Sequence, residues 1–379
     1  MSDARAILSE AFGNHSTRDG DMTDHAEPVA ILSWPAVPVE IVRAAGLRPI
    51  VVRGEMAPTP LADRWLEPDA FPNRLRQLVD SALAGHFRHA MCVVLPRTSD
   101  PDYKAFLYLR ELIRRSVTPP EPPILLFDLL QSNAPDVRTY DAARTRDLFD
   151  TLVTLRQRAA SLDDVHDAIE RTNRARAAMR RILALRRGPP RVSGTEVLPL
   201  IGAFWRLAPD EYAALANQAA DTLSRRPPLA GPRVLLAGAP VDHPALHAAI
   251  ESLGAIVVAE PGPWGTDAPG EDVSSDGDPF MALAERYRRS AIGPRMPLTA
   301  VQQLVRLVAD DVDAVVVSLP PEDTVFGWDY PALRAWLDGR QLPHLCVTSD
   351  PCLPLGPADR DRIAALIAAV TPGVGARHG

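Results

Sequence analysis

The residues of this chain most able to do chemistry are few and widely spaced. Its three cysteines, Cys92, Cys346 and Cys352, each stand in or just after an apolar run, so neither a disulfide framework nor a CxxC metal site is available. Reduced, buried thiols are the expectation. His243, His247 and Glu251 follow at i, i+4 and i+8, which puts three metal-capable side chains on one helix face. A zinc hydrolase would need further ligands from elsewhere, and Pro244 stands where the HExxH pattern has its glutamate. The blander expectation is that Asp242 caps this helix and both histidines lie on its solvated side. Arg97, Thr98 and Ser99 open another helical stretch, where free backbone N–H groups and a guanidinium can bind a carboxylate or phosphate. Equally open is a plain helix cap by Ser99 or Asp100, with Arg97 in solvent.

Composition removes several other chemistries. Lys104, the only lysine, stands in no GxxxxGK[ST] pattern, which excludes the P-loop. No GxSxG is present, and PGPWGTD at 261–267 is not a GxGxxG fingerprint. A net charge of −7 argues against nucleic-acid binding, which needs a basic face to displace counterions. No apolar run reaches the roughly 20 residues of a membrane span, and residues 1–24 lack the apolar core of a signal peptide. A cytoplasmic protein is expected.

The elements that must position these residues alternate between strand and helix. Continuous apolar runs at 29–34, 49–54, 91–97 and 124–130 read as strands, with helices at 39–46, 71–84 and 101–116 between them. Residues 138–187 carry apolar residues at helical spacing (Leu148, Leu152, Leu155, Ile169, Ile182, Leu185) with almost no Gly or Pro, which predicts a pair of long helices. A helical stretch at 194–225 leads to the proline-rich linker RRPPLAGP at 225–232. A second unit follows, with strands at 233–240, 255–260, 313–320 and 344–350 and helices at 244–253, 279–290, 299–309 and 330–338. The expected fold is α/β, with two doubly wound parallel-sheet (Rossmann/flavodoxin-like) domains joined by a long helical segment. The expected boundaries are a mobile tail at 1–24, an N-terminal α/β domain at 25–135, a helical segment at 136–226 and a C-terminal α/β domain at 227–379. Ligands of such sheets bind beyond the carboxyl ends of the strands, so the loops after Trp34, Arg97, Gly238, Glu260 and Leu319 are where a site is sought.

At these loops the sequence resembles the 2-hydroxyacyl-CoA dehydratase / benzoyl-CoA reductase subunit family, of the 2-hydroxyglutaryl-CoA dehydratase D-component type. Val37-Pro38-Val39-Glu40-Ile41 with Ala44-Ala45-Gly46 is similar to the family's CSYVPEE…AAG opening, and LPRTSDPDYKAF at 95–106 to its second cluster loop. Residues 169–196 resemble its long-helix signature, and 233–240 with Asp242 its RVLxGxPxD strand and loop. DPFMALAERY at 278–287 and FGWDYPALRAWL at 326–337 continue the match in the same order, from about residue 28 to 350.

The resemblance implies a great deal about what is missing. Cluster-bearing subunits of that family supply three cysteine thiolates to a [4Fe–4S] cluster, one from each of three loops. Aligned motif by motif, those positions fall here on Trp34, Ser99 and Asp323 or its neighbour Glu322. An indole N–H only donates and cannot ligate iron, and a reduced cluster needs strong sulfur donors. The family cluster is therefore expected to be absent, with no other cofactor or metal in its place. Glu40 falls on the second glutamate of the opening motif and Val39 replaces the first, which weakens a proton-transfer role for that pair and leaves a cap equally open.

The resulting expectation is a cluster-free subunit that pairs with a homologous partner, as a heterodimer or homodimer, and keeps acyl-CoA or related ligand binding. The apolar stripe of the 138–187 helices also suggests an oligomer. Trp34, Glu40, Arg97, Thr98, Gly238 and Asp242 are the candidate ligand contacts. The alternatives are a redox-neutral acyl-CoA lyase or hydrolase using Ser99 and the adjacent carboxylates Glu322 and Asp323, or a purely structural scaffold. Whether catalysis occurs at all is left open by the sequence.

Overall fold

Strands form where short apolar runs are too continuous to make an amphipathic helix. The computed structural model describes residues 3–13, 27–115, 117, 122–130, 132, 134–288 and 312–371. Its first four strands are β1 (Val29–Leu32), β2 (Arg48–Val51), β3 (Cys92–Pro96) and β4 (Ile124–Phe127). Four more are β5 (Arg233–Gly238), β6 (Ile256–Ala259), β7 (Ala314–Ser318) and β8 (His344–Val347). All pairings are parallel, in the orders β2-β1-β3-β4 and β6-β5-β7-β8. The two sheets repeat one doubly wound topology, and in each the winding reverses between the two central strands.

Alternate residues of the central strands serve opposite faces, which is why these strands are apolar throughout. Val29, Ile31, Val93 and Leu95 pack on the side of α3 (Asn73–Leu83) and α4 (Asp100–Arg114). Ala30, Leu32, Cys92 and Val94 face α2 (Val39–Ala44) and the helical segment. The second sheet divides likewise, with Val234, Leu236 and Val316 on one face and Leu235, Val315 and Val317 on the other.

The helical segment comprises α5 (Pro135–Arg156), α6 (Leu162–Ala184), α7 (Gly194–Gly202) and α8 (Pro209–Ser224). The predicted long pair breaks at Gln157, which takes a left-handed conformation with φ +51, and α6 starts again from a capping box of Ser161 with Asp164. Leu148, Leu152, Ile169 and Ile182 are all buried within the chain's own largest core. The apolar stripe is thus consumed internally, and the argument for an oligomer drawn from it does not hold.

The C-terminal half adds α9 (Ala245–Glu251), α10 (Pro279–Arg288), α11 (Thr324–Gly339) and α12 (Pro357–Val370). Of the expected helices, 299–309 lies outside the described residues. α12 was not anticipated, although Ile363 and Ile367 repeat at helical spacing and are buried against the second sheet. α10 crosses the expected domain boundary, since Phe280 packs on Phe149 of α5 with ring centroids 5.6 Å apart.

Two buried arginines join the parts. Arg176 of α6 pairs with Glu40 of α2, and the Tyr287 hydroxyl of α10 donates to the other Glu40 oxygen at 2.8 Å. Arg186, just beyond α6, donates to both oxygens of Glu260 after β6, at 2.7 and 2.5 Å. Burial alone would raise the Glu260 carboxyl, but the Arg186 guanidinium outweighs it and holds the group at about 2.

The N-terminus also differs from its expectation. Ala4–Gly13 is a docked helix, α1, with Leu8 and Phe12 buried, while the rest of the expected tail, 14–26, lies outside the described residues. The notch for Phe12 exists because Gly202 has no side chain: a Cβ there would stand 2.2 Å from the ring. The sequence shows a short helical turn here among polar residues, but not that it docks, because the notch that receives Phe12 lies far along the chain.

Two outcomes follow from this packing. Phe12→Ala should lower unfolding stability by about 3 kcal/mol in urea melts, as for other buried aromatics; a change near zero would restore the mobile tail. Glu260→Gln should cost about 3–5 kcal/mol by leaving a buried guanidinium uncompensated, whereas Arg186→Met combined with Glu260→Gln should recover much of that loss.

Candidate functional site

The carboxyl ends of the two sheets open onto one cleft of about 130 Å³. Trp34 enters it from the loop after β1, Ser99 from the loop after β3, Pro240 and Asp242 from after β5, Glu322 and Asp323 from after β7, and Asp350 and Cys352 from after β8. All but β8 are strands flanking the two reversal points, where open parallel sheets leave room for a ligand.

The first wall is organised by a carboxylate that sequence reading overlooked. Asp102, fully buried in the first turn of α4, receives both terminal nitrogens of Arg74 at 2.9 Å each. The Ser99 hydroxyl donates to the same carboxylate at 2.5 Å, the Thr98 hydroxyl donates at 3.2 Å, and Ser99 Oγ in turn accepts the Asp102 N–H. Ser99 is thereby the N-cap of α4. The Arg74 guanidinium, fixed by this pair and by the Ser33 carbonyl, lies 4.3 Å over the Trp34 ring.

The second wall is acidic. Asp323 caps α11 by accepting the Phe326 N–H at 3.1 Å, and its carboxyl is raised by burial against the lowering effect of these backbone donors. Burial, then the neighbouring charges of Asp350 and Asp323, push the Glu322 carboxyl up to about 7. Deeper in, Asp242 accepts the Gly54 N–H at 2.8 Å and the Cys352 thiol at 3.5 Å, joining loops of both sheets. A Cβ on Gly54 would meet Cys352 Sγ at 2.3 Å, so only glycine fits this crossing.

Several candidates stand elsewhere. Glu40 does not cap α2 but is locked in the core with Arg176 and Tyr287. Arg97 pairs with Asp128 at 3.3 Å outside the cleft lining, and Thr98 serves Asp102. Gly238 answers a steric need: its φ is +87, and a Cβ would lie 2.1 Å from the Ser318 carbonyl. Asp242 is no helix cap, because α9 starts at Ala245 with Pro244 before it. Both histidines, expected in solvent, are buried, with His247 Nε2 3.8 Å from Glu260. Glu251 accepts the Gly194 and Thr195 N–H groups at the start of α7, so the three do not form a metal site.

Sequence reading missed Arg74, Asp102, Asp350 and Cys352 in or beside the cleft. Asp102 had a signal, since Ser99-x-x-Asp102 is a capping-box spacing. Arg74 had none, because it reaches the site through tertiary packing.

The donor set does not fit an iron–sulfur cluster. Among the described residues lining the cleft Cys352 is the one thiol, and burial followed by the charges of Asp242 and Asp350 pushes it well above the usual thiol range. Ser99 and Asp323 are engaged as caps and Trp34 is stacked on Arg74. No group of three or more His, Cys, Asp or Glu among the described residues is placed to hold a metal ion.

Because the Glu322 pKa is raised on folding, the stability linked to its proton is fully present below the ordinary carboxyl range and is lost as pH rises through about 7. Glu322→Gln should therefore melt at a higher temperature than the parent at pH 8 and at nearly the same temperature at pH 5. Equal melting at both values would place this carboxyl in bulk solvent.

Among the described residues no helix is long and apolar enough to cross a membrane. No curated protein matches the chain. The family described as 2-hydroxyglutaryl-CoA dehydratase, D-component, matches residues 36–367, a span that takes in seven of the eight strands and most of the cleft. With the whole second sheet, all of the first but β1 and the helical segment inside that match, the chain belongs to the 2-hydroxyglutaryl-CoA dehydratase D-component family.

Proposed function

We propose that this chain is a cluster-free subunit of a 2-hydroxyacyl-CoA dehydratase / benzoyl-CoA reductase-type complex, and that its cleft binds an acyl-CoA or related thioester without delivering electrons to it. The observation that carries the reading is the cleft itself. It lies between the sheets, lined by Trp34, Ser99, Glu322 and Asp323, with Cys352 the one thiol among the described residues of its lining. Its walls of aromatic and proline side chains suit the apolar part of a ligand. A partner subunit is favoured by Trp328, which is 86% exposed on α11, two residues from Phe326 of the cleft.

A second reading is redox-neutral acid–base chemistry on the thioester. It is favoured by Glu322, whose raised carboxyl can hold or release a proton near neutral pH beside Asp323. In that reading the Ser99 hydroxyl, aimed at Asp102, is a positioning group for the ligand.

The test is anaerobic purification with native partners, followed by iron and sulfide analysis and titration with a panel of acyl-CoAs. The chain itself should carry no stoichiometric iron, should bind at least one acyl-CoA, and should bind it more weakly as Trp34→Ala. About four irons per chain, the content of a [4Fe–4S] centre, would overturn the cluster-free assignment. Unchanged affinity in Trp34→Ala would remove the cleft from ligand binding.

A further inference from the structure

Resting on the thioester reading above, we infer that the acyl group admitted to this cleft is uncharged and apolar, and that acyl groups ending in a carboxylate are excluded. The basis is the full charge inventory of the lining. Four carboxylates border the cleft, Asp242, Glu322, Asp323 and Asp350, against one cation among the described residues, Arg74. Arg74 is already charge-paired: its terminal nitrogens donate to both Asp102 oxygens and to the Ser33 carbonyl, and its face lies on Trp34. Arg76, bound to Asp63 and Thr59, offsets only part of the charge effect on Glu322.

Backbone donors are equally scarce. Helix N-termini are the usual anion sites of such folds, and both α4 and α11 begin at this cleft. Each is closed by its own side chains. Ser99 takes the Asp102 N–H, Pro101 has no N–H to give, and Asp100 and Asp102 put negative charge in the first turn of α4. Asp323 takes the Phe326 N–H of α11. Pro72, Pro240, Pro320 and Pro351 also line the cleft and offer no N–H either. An entering carboxylate would lose water, meet only neutral donors such as the Asn73 amide and the Thr324 hydroxyl, and face four like charges, whereas a hydrocarbon chain would meet Trp34, Phe326 and proline rings. The same charges keep the phosphates of coenzyme A outside, so only the acyl end and part of the thiol arm are held here.

The experiment uses the full chain, with any family partner that copurifies, and two thioesters of equal length, pentanoyl-CoA and glutaryl-CoA. Dissociation constants are measured by calorimetry at pH 8 in low and high salt. Pentanoyl-CoA should bind at least about tenfold more tightly, a ratio set by charge repulsion in a partly desolvated site. The ratio should shrink in high salt and in Glu322→Gln, provided that variant keeps the parent's circular dichroism; Asp350→Asn supplies a second variant in case it does not. Glutaryl-CoA binding as tightly as pentanoyl-CoA, or a ratio untouched by salt and by both variants, would overturn the inference and leave thioester binding standing. Binding of neither compound, nor of any member of the acyl-CoA panel, would overturn the thioester reading itself.

Discussion

Two arginines ten residues apart set the geometry on which the rest depends. Arg176 reaches back to Glu40 in the first sheet's unit, and Arg186 reaches forward to Glu260 at the edge of the second. Both pairs are buried, so neither guanidinium can be released into the interior without a large penalty. Along a helical backbone ten residues span on the order of 15 Å, and that fixed rise becomes the spacing between two otherwise separate sheets. Tyr287 adds a third attachment, since α10 leaves the second unit to hydrogen-bond Glu40. The cleft inherits its width from these contacts, none of which touches it.

A division of labour follows. The scaffold is held by buried ion pairs and by apolar strands that alternate between two covered faces. The cleft is made of loop residues whose partners are local, such as Ser99 with Asp102 and Asp323 with Phe326. Its polarity can therefore change by substitution at strand ends while the sheets stay where they are. The present lining has taken that freedom in one direction, toward carboxylates and prolines.

Most of the architecture was legible in the sequence, for a physical reason. Eight short apolar runs can be buried on both sides only in parallel sheets with helices on each face, and all eight are strands. Elements near the ends were harder to read. α1 is short with polar flanks and depends on a notch at Gly202, nearly 200 residues away, and α12 lies beyond the last predicted strand, in a stretch where no further element was sought. At the site, strand order drew attention to the loops, and the family resemblance singled out Trp34, Ser99, Glu322 and Asp323 within them. Burial was not legible: His247 and Glu40 read as surface or capping groups, and both turn out to lie in the interior with a charged neighbour. Arg74 and Cys352 arrive from elements whose local pattern says nothing about where they point.

Two of the positions that the family resemblance aligns with cysteine, Ser99 and Asp323, now start helices as side-chain caps. Serine and aspartate are among the best residues for that place, each contributing about 1 kcal/mol over a residue that cannot accept the N–H. A cysteine at either position would uncap its helix, so each site has a reason for the residue it holds that is independent of any ligand. Exchange to cysteine at these strand ends is uphill in this chain, and the cleft lining is coupled through its caps to the stability of the two helices that begin there.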